Sequence, residues 1–320
     1  MTYKHSSLLF LLLFFLTHLF TQENATEKTL VKTNRIKSKS AYEIKFYLGE
    51  KQKDSSLLYT KRYDLKSNIT ENSSPAETII YQYNDKRKLI VETSYTADKT
   101  LRYKDTYIYN AAGNLIEKIE YEENEKISFR IVNKYDEKKR ETEKIILAAN
   151  GSVLSKQFFF YDTKGNKTSE TNYDSTGKEL NKKIFVFDSK NRLISMTFLK
   201  NDSVTSKYFY QYNDIGKKIK TVCYNSNGSI NFKSVYDYNV KGNLAQETIL
   251  QGTNFTRETQ QYDTKGNLIK KIKYDDKGNI LSGFSYHYSE KNLIIKEIEY
   301  DLFDEPQSII KYSYEYYPAQ

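Results

Sequence analysis

One feature constrains this chain more than any other: a tyrosine-led motif that returns about every 26 residues. Its fullest copy reads Tyr262-Asp263-Thr264-Lys265-Gly266-Asn267-Leu268-Ile269. The leading slot is held by Tyr83, Tyr109, Tyr135, Tyr161, Phe187, Tyr212, Tyr238, Tyr262 and Tyr288, at steps of 26, 26, 26, 26, 25, 26, 24 and 26 residues. Twelve residues after each comes a weaker echo: Tyr95, Tyr121, Leu147, Tyr173, Leu199, Tyr224, Leu250, Tyr274 and Tyr300. A fixed period of this length means a stacked array of one small unit, because no single unit can bury its own apolar surface.

Within a beat the pattern is that of strands. Leu115 to Tyr121 reads LIEKIEY and Ile127 to Tyr135 reads ISFRIVNKY, with a polar turn between them. Leu115, Ile119 and Tyr121 share one parity, as do Ile127, Phe129, Ile131 and Tyr135, which predicts alternating strands with one apolar face. Thirty tyrosines and 17 phenylalanines support strands, and three prolines leave the ladders intact. Turn signals arrive too often for a helical stripe to survive.

The turns carry their own chemistry. Asp162-Thr163-Lys164-Gly165, Asp174-Ser175-Thr176-Gly177, Asn225-Ser226-Asn227-Gly228 and Asp275-Asp276-Lys277-Gly278 share one form. Asp or Asn opens a type I turn and glycine takes the left-handed position that closes a bulged hairpin. Gly113, Gly242 and Gly266 fill the same place. Where glycine is missing, at Asp136 to Arg140 and Ser289 to Asn292, a looser turn is expected.

Hairpin after hairpin without a crossover predicts an all-β, continuous antiparallel meander of about 18 to 22 strands, twisted and curled into an open superhelical sheet or partial shell. Residues 1–21 read as a secretory signal peptide, with Leu8 to Leu16 as an unbroken apolar run after Lys4 and His5. Residues 22–39 read as a flexible leader. Residues 40–82 form an atypical capping hairpin and a degenerate repeat, and 83–317 the regular array.

The Tyr-Asp-x-x-Gly-Asn motifs at Tyr161 and Tyr262, with near copies at Tyr109, Tyr173, Tyr238 and Tyr274, resemble the YD-repeat (Rhs) family of exported bacterial β-hairpin proteins. The resemblance covers Tyr63 to Tyr300. It implies a non-catalytic repeat array, in large members a hollow shell, with links to carbohydrate binding and to carriage of a C-terminal toxin. The family's core-closing Asp-Pro segment is not found, since Asp304-Glu305-Pro306 does not match it, so a toxin role is not expected.

No catalytic constellation is expected from the residues present. His5 and His18 lie in the predicted leader, which leaves His287 in the array, in Ser285-Tyr286-His287-Tyr288. Cys223 has no histidine in its own repeat, and no zinc-ligand spacing occurs. The acidic turns read as turn-forming rather than calcium-binding. No cofactor or metal is expected, and no enzyme. A net charge of +9 suits anionic glycans or solvated strand faces; no nucleic-acid motif accompanies it.

By number parity the motif tyrosines oppose Lys118, Arg130, Lys134, Lys144, Lys156 and Lys182, and later Lys207, Lys233, Arg257, Lys271 and Lys273. This predicts one aromatic, apolar face and one basic face, with Lys183, Lys218, Lys220 and Lys270 as exceptions. A neutral glycan would meet Tyr208, Tyr210, Tyr236 and Tyr286; an anionic polymer would meet the basic face around Lys233. The expected function is a secreted or periplasmic, non-catalytic binding or scaffolding protein of the bacterial envelope, its partner a surface polysaccharide or another envelope protein, with no membrane-spanning helix. The rival readings are an interaction partner of a toxin or secretion apparatus, and a polysaccharide hydrolase with paired carboxylates.

Overall fold

The computed structural model describes residues 26–47, 50–51 and 55–318. The predicted signal peptide lies outside them. Residues 26–34, expected to be flexible leader, form a short helix, α1. Behind it run 23 strands in one antiparallel sheet. They are β1 (Ile36–Tyr47), β2 (Glu50–Lys51), β3 (Ser56–Tyr63), β4 (Ile69–Ser73), β5 (Glu77–Tyr83), β6 (Leu89–Thr96), β7 (Leu101–Tyr109), β8 (Leu115–Glu122), β9 (Ile127–Tyr135), β10 (Glu141–Ala148), β11 (Val153–Tyr161) and β12 (Lys167–Asp174). They continue as β13 (Glu179–Phe187), β14 (Leu193–Lys200), β15 (Ser203–Tyr212), β16 (Lys218–Asn225), β17 (Ile230–Tyr238), β18 (Leu244–Gln251), β19 (Asn254–Tyr262), β20 (Leu268–Tyr274), β21 (Ile280–Tyr288), β22 (Ile294–Tyr300) and β23 (Pro306–Tyr316).

From β3 onward each strand pairs with the next, as the hairpin beat requires. The open sheet expected from sequence is not what forms. β1 pairs with β3 on one side and with β23 on the other, from Ser38 opposite Glu315 to Lys45 opposite Ser308. The short β2 pairs with β1 alone, which leaves a closed barrel of 22 strands. Closure removes both sheet edges, each of which would otherwise expose a row of unpaired backbone groups.

The register sets the shape. Lys156 pairs with Tyr173 across one hairpin, whereas the equivalent Lys182 pairs with Thr171, a shift of two residues per repeat. Two residues along for two strands across gives a strand tilt of about 35° and a wall about 40 Å across.

The two faces differ from the parity expectation, and the reason is geometric. Ile119 pairs with Arg130, while Phe129 pairs with Glu120, so the two apolar sets of that repeat lie on opposite faces. The turns and their bulges invert number parity between the two strands of most hairpins, β14 and β15 being an exception. Crowding identifies the inner wall, because side chains converge there. Ser94, Cys223 and Ala41 at 0% exposure, with Glu170 and Ser234 at 2%, share that face. The buried apolar cluster is small: Val31 of α1 with Ile36, Tyr63 and Leu293, flanked by Leu30, Ile69 and Tyr314. Glu27 of α1 also reaches the inner side chains of Lys39, Lys61 and Tyr63. The helix thus covers the closing seam from inside.

Candidate binding surface

The motif turns form one rim. In each, the opening residue accepts a hydrogen bond from the backbone N–H three residues on, as Asp162 does from Gly165 at 3.1 Å. Its carboxylate accepts from the Asn166 backbone N–H at 2.8 Å and the Asn166 side-chain amide at 2.9 Å. The motif asparagine therefore serves the turn aspartate rather than the ladder. These bonds hold Asp162 and Asp263 below the usual carboxylate range, the Asn166 and Asn267 amides contributing most. Gly165 and Gly266 have φ of 92° and 89°, and Gly113, Gly177, Gly228, Gly242 and Gly278 are also left-handed. The turns without glycine are not looser. Lys139 and Asn292 adopt φ of 62° and 64° and make the same bonds, with Lys139 N–H 2.9 Å from the Asp136 carbonyl.

The leading tyrosine has a role that the sequence did not reveal. Tyr109, Tyr135, Tyr161, Tyr212, Tyr238, Tyr262, Tyr288 and Tyr314 each donate their hydroxyl to a backbone carbonyl 18 to 20 residues earlier. The acceptor is always the first residue of a strand in the preceding repeat, such as Leu115 for Tyr135 at 2.8 Å and Lys218 for Tyr238 at 2.7 Å. Cations cover several of these rings: Arg140 lies 4.6 Å over Tyr161 and Arg192 lies 4.9 Å over Tyr212. Most repeats are thereby latched to the neighbour before them. Phe187 is the one motif position that lacks the hydroxyl.

On the inner wall the expected aromatic residues Tyr208, Tyr210 and Tyr236 come together, and Tyr286 sits on the same wall at the end of β21. Tyr208 contacts Phe198 and Phe232 edge-on at 5.7 and 6.1 Å. The ammonium of Lys218 lies 5.8 Å over Tyr210 and 4.7 Å over Tyr236. This wall is not apolar. Lys118 pairs with Asp105 at 2.7 Å, Lys271 with Glu258 at 3.0 Å, and the buried Glu170 with both Lys167 and Lys183 at 2.7 and 2.8 Å. Lys118, Lys144, Lys271 and Lys273, assigned to the basic face by parity, therefore belong here, while Lys220 and Lys270 belong outside. Burial first, then neighbouring tyrosines at Tyr210 and Glu297 beside Tyr286, push both phenols up to about 12.

Lys233 faces outward, paired between Val222 and Leu250. His287 is also outside, opposite Lys296, and burial together with that charge lowers its pKa. Cys223 is buried on the inner wall. Among the described residues no group of three or more His, Cys, Asp or Glu is placed to hold a metal ion. A recess of about 180 Å³ opens on the inner wall between Tyr59, Lys61, Asn72, Ser74, Glu77 and Ile79.

The outer wall is ordered in rows. Lys104, Arg130, Lys156, Lys182, Lys207, Lys233 and Arg257 occupy one repeat position. Each pairs across the next hairpin with an echo residue, such as Tyr173 for Lys156, Tyr224 for Lys207 and Tyr274 for Arg257. The 26-residue beat applied to cations, rather than to tyrosines alone, would have found this row.

No protein-family model and no curated protein sequence matches the chain. Among solved structures it is similar to the Tc holotoxin pore of Photorhabdus luminescens, at 14% identity and a TM-score of 0.35, covering 79% of this chain and 16% of that one. It is similar to the TcdB2-TccC3-Cdc42 complex at 13% identity and a TM-score of 0.32, covering 78% and 17%. The chain thus spans about a sixth of the length of these toxin chains. A porin-like protein from Bacteroides uniformis is similar at 12% identity and a TM-score of 0.31, covering 88% of this chain and 97% of that one.

Proposed function

We propose that this chain is a non-catalytic binding or scaffolding protein of the bacterial envelope, displaying a repeated surface to a surface polysaccharide or another envelope protein. The observation that carries this reading is the repetition itself. A wall latched at nearly every repeat presents the same side-chain types at the same height, which suits a partner that is itself extended or repetitive.

The outer wall favours a watery or polar setting over lipid. Lys156, Lys182, Lys207, Lys233 and Arg257 project outward from strand interiors, and burying each at a bilayer midplane would cost about 2–4 kcal/mol. No described helix is long and apolar enough to cross a membrane.

Glycan-array binding at low and high salt tests the reading, repeated with Tyr210→Ala on the inner wall and Lys233→Glu on the outer. A glycan partner gives binding that one of these substitutions weakens. A folded protein that binds no glycan in either condition would shift the reading to a protein partner. Turnover of a polysaccharide by the purified protein would refute the non-catalytic assignment.

A further inference from the structure

The inner wall, the motif rim and the outer wall each concentrate chemistry, and the outer wall sets a regular row of cations without ion pairs on strand interiors. Over β11 to β19 the cations Lys156, Lys182, Lys207, Lys233 and Arg257 stand in one row, and none of the five makes an ion pair among the described residues. Lys220 on β16, and Lys270 on the adjoining β20, add charge to the same face. Of the acids of these strands, Glu170, Asp174, Glu247 and Glu258 face inward. Glu179 and Asp237 lie toward the two rims, at the first residue of β13 and the penultimate residue of β17. By contrast, Arg130 and Lys134, earlier on the same wall, are matched by Glu117 and Glu143 at 3.6 and 2.6 Å. The β11 to β19 sector is therefore an unneutralised belt.

Each cation stands beside a flat or apolar echo side chain. Arg257 lies 4.9 Å over the Tyr274 ring, with its Nε buried and without a hydrogen-bond partner. Lys156 and Lys207 have Tyr173 and Tyr224 as cross-strand neighbours. A cation next to a ring or leucine offers a charge contact and an apolar platform together, the pair of features that an acidic sugar presents as carboxylate and pyranose face.

Spacing narrows the partner. Successive cations are two strands across and two residues along, about 12 Å apart at the backbone. Phosphates of a nucleic-acid strand follow one another at about 3.4 Å along a duplex axis, far denser than the belt. A chain with one negative charge for every two or three sugars matches it better. Resting on the binding reading above, we infer that the outer belt from Lys156 to Arg257 binds a linear, sparsely charged acidic polysaccharide laid around the barrel.

The probe is a set of labelled hyaluronan oligosaccharides of increasing length, which carry one carboxylate per disaccharide, followed by fluorescence anisotropy. The full-length barrel is compared with Lys156→Gln/Lys182→Gln/Lys207→Gln. A control, Lys164→Gln/Lys178→Gln/Lys190→Gln, removes the same charge from exposed turns. Circular dichroism and urea midpoints verify that both variants fold. Affinity should rise with oligosaccharide length and fall between about 0.05 and 0.2 M salt. The belt variant should bind at least tenfold more weakly, with a shallower salt dependence. The control should bind like the unmodified protein.

Equal binding by the belt variant, or equal damage in the control, would overturn the assignment. Tighter binding of single-stranded DNA or of anionic vesicles than of hyaluronan at matched salt would also overturn it. Binding of neutral dextran but not hyaluronan would reject the belt while leaving the glycan-binding reading in place. Binding of no glycan at all would reject both.

Discussion

The tyrosine latch can be tested in both directions, because the chain contains its own control. Tyr238 donates its hydroxyl to the Lys218 carbonyl at 2.7 Å in a part-buried setting. Removing the donor with Tyr238→Phe keeps the ring, so the change isolates one hydrogen bond to a neutral acceptor. Such a bond contributes about 0.5–1.5 kcal/mol net, and the stranded carbonyl keeps the loss from being smaller. The reciprocal change is Phe187→Tyr. Its acceptor would be the carbonyl of Lys167, the first residue of β12, because every other latch reaches the first residue of the equivalent strand. Adding that bond should stabilise by about 0.5–1 kcal/mol. Urea denaturation followed by circular dichroism reads both as shifts of midpoint at constant slope. The double variant should come close to the sum of the two, since the sites lie two repeats apart. If Phe187→Tyr is neutral or destabilising while Tyr238→Phe is also neutral, the hydroxyl is a bystander and the motif tyrosine acts through its ring alone.

Other consequences follow from the rim, the inner wall and the seam. Gly165→Val should lose about 1–2 kcal/mol through backbone strain, since its φ is 92° and no atom lies within 4 Å of an added Cβ; Lys139→Gly at φ 62° should instead gain up to about 1 kcal/mol, both read by urea midpoint. Burial pushes the Glu170 carboxyl up, but hydrogen bonds and charge from Lys167 and Lys183 outweigh it, so its folded pKa is depressed. Its stabilisation is present above the unfolded value and disappears as pH falls through the folded one. Glu170→Gln should therefore cost about 3 kcal/mol at neutral pH, and the gap from the parent protein should close in acid. Tyr81, Tyr83, Tyr210 and Tyr286 are pushed up to about 12, so their contribution is complete below pH 10 and lost as pH rises toward 12; the tyrosinate absorbance should rise together with loss of the β-sheet signal. Deleting residues 306–318 removes β23 and exposes the edges of β1 and β22, and light scattering should show association that the intact barrel does not.

Period, strand polarity and turn chemistry were legible because each is local. Asp162 to Asn166 closes its own hairpin, and the beat from Tyr83 to Tyr288 repeats that instruction. The left-handed glycines followed from the same chemistry, whereas Lys139 showed that the ladder on either side can impose the conformation without one. The faces were not legible by counting residues. A bulge beside each motif turn moves Lys118 and Lys271 to the wall opposite the one their numbers suggest. Closure was further out of reach. Ser38 and Glu315 meet across the seam 277 residues apart. Whether they meet depends on the tilt and twist summed over every hairpin between them, a quantity to which each repeat contributes a little and that no single repeat contains. The sequence by itself determined what each hairpin is. Only the tertiary structure decided that the last strand returns to the first, and with that which side chains face the lumen and which form the outer belt.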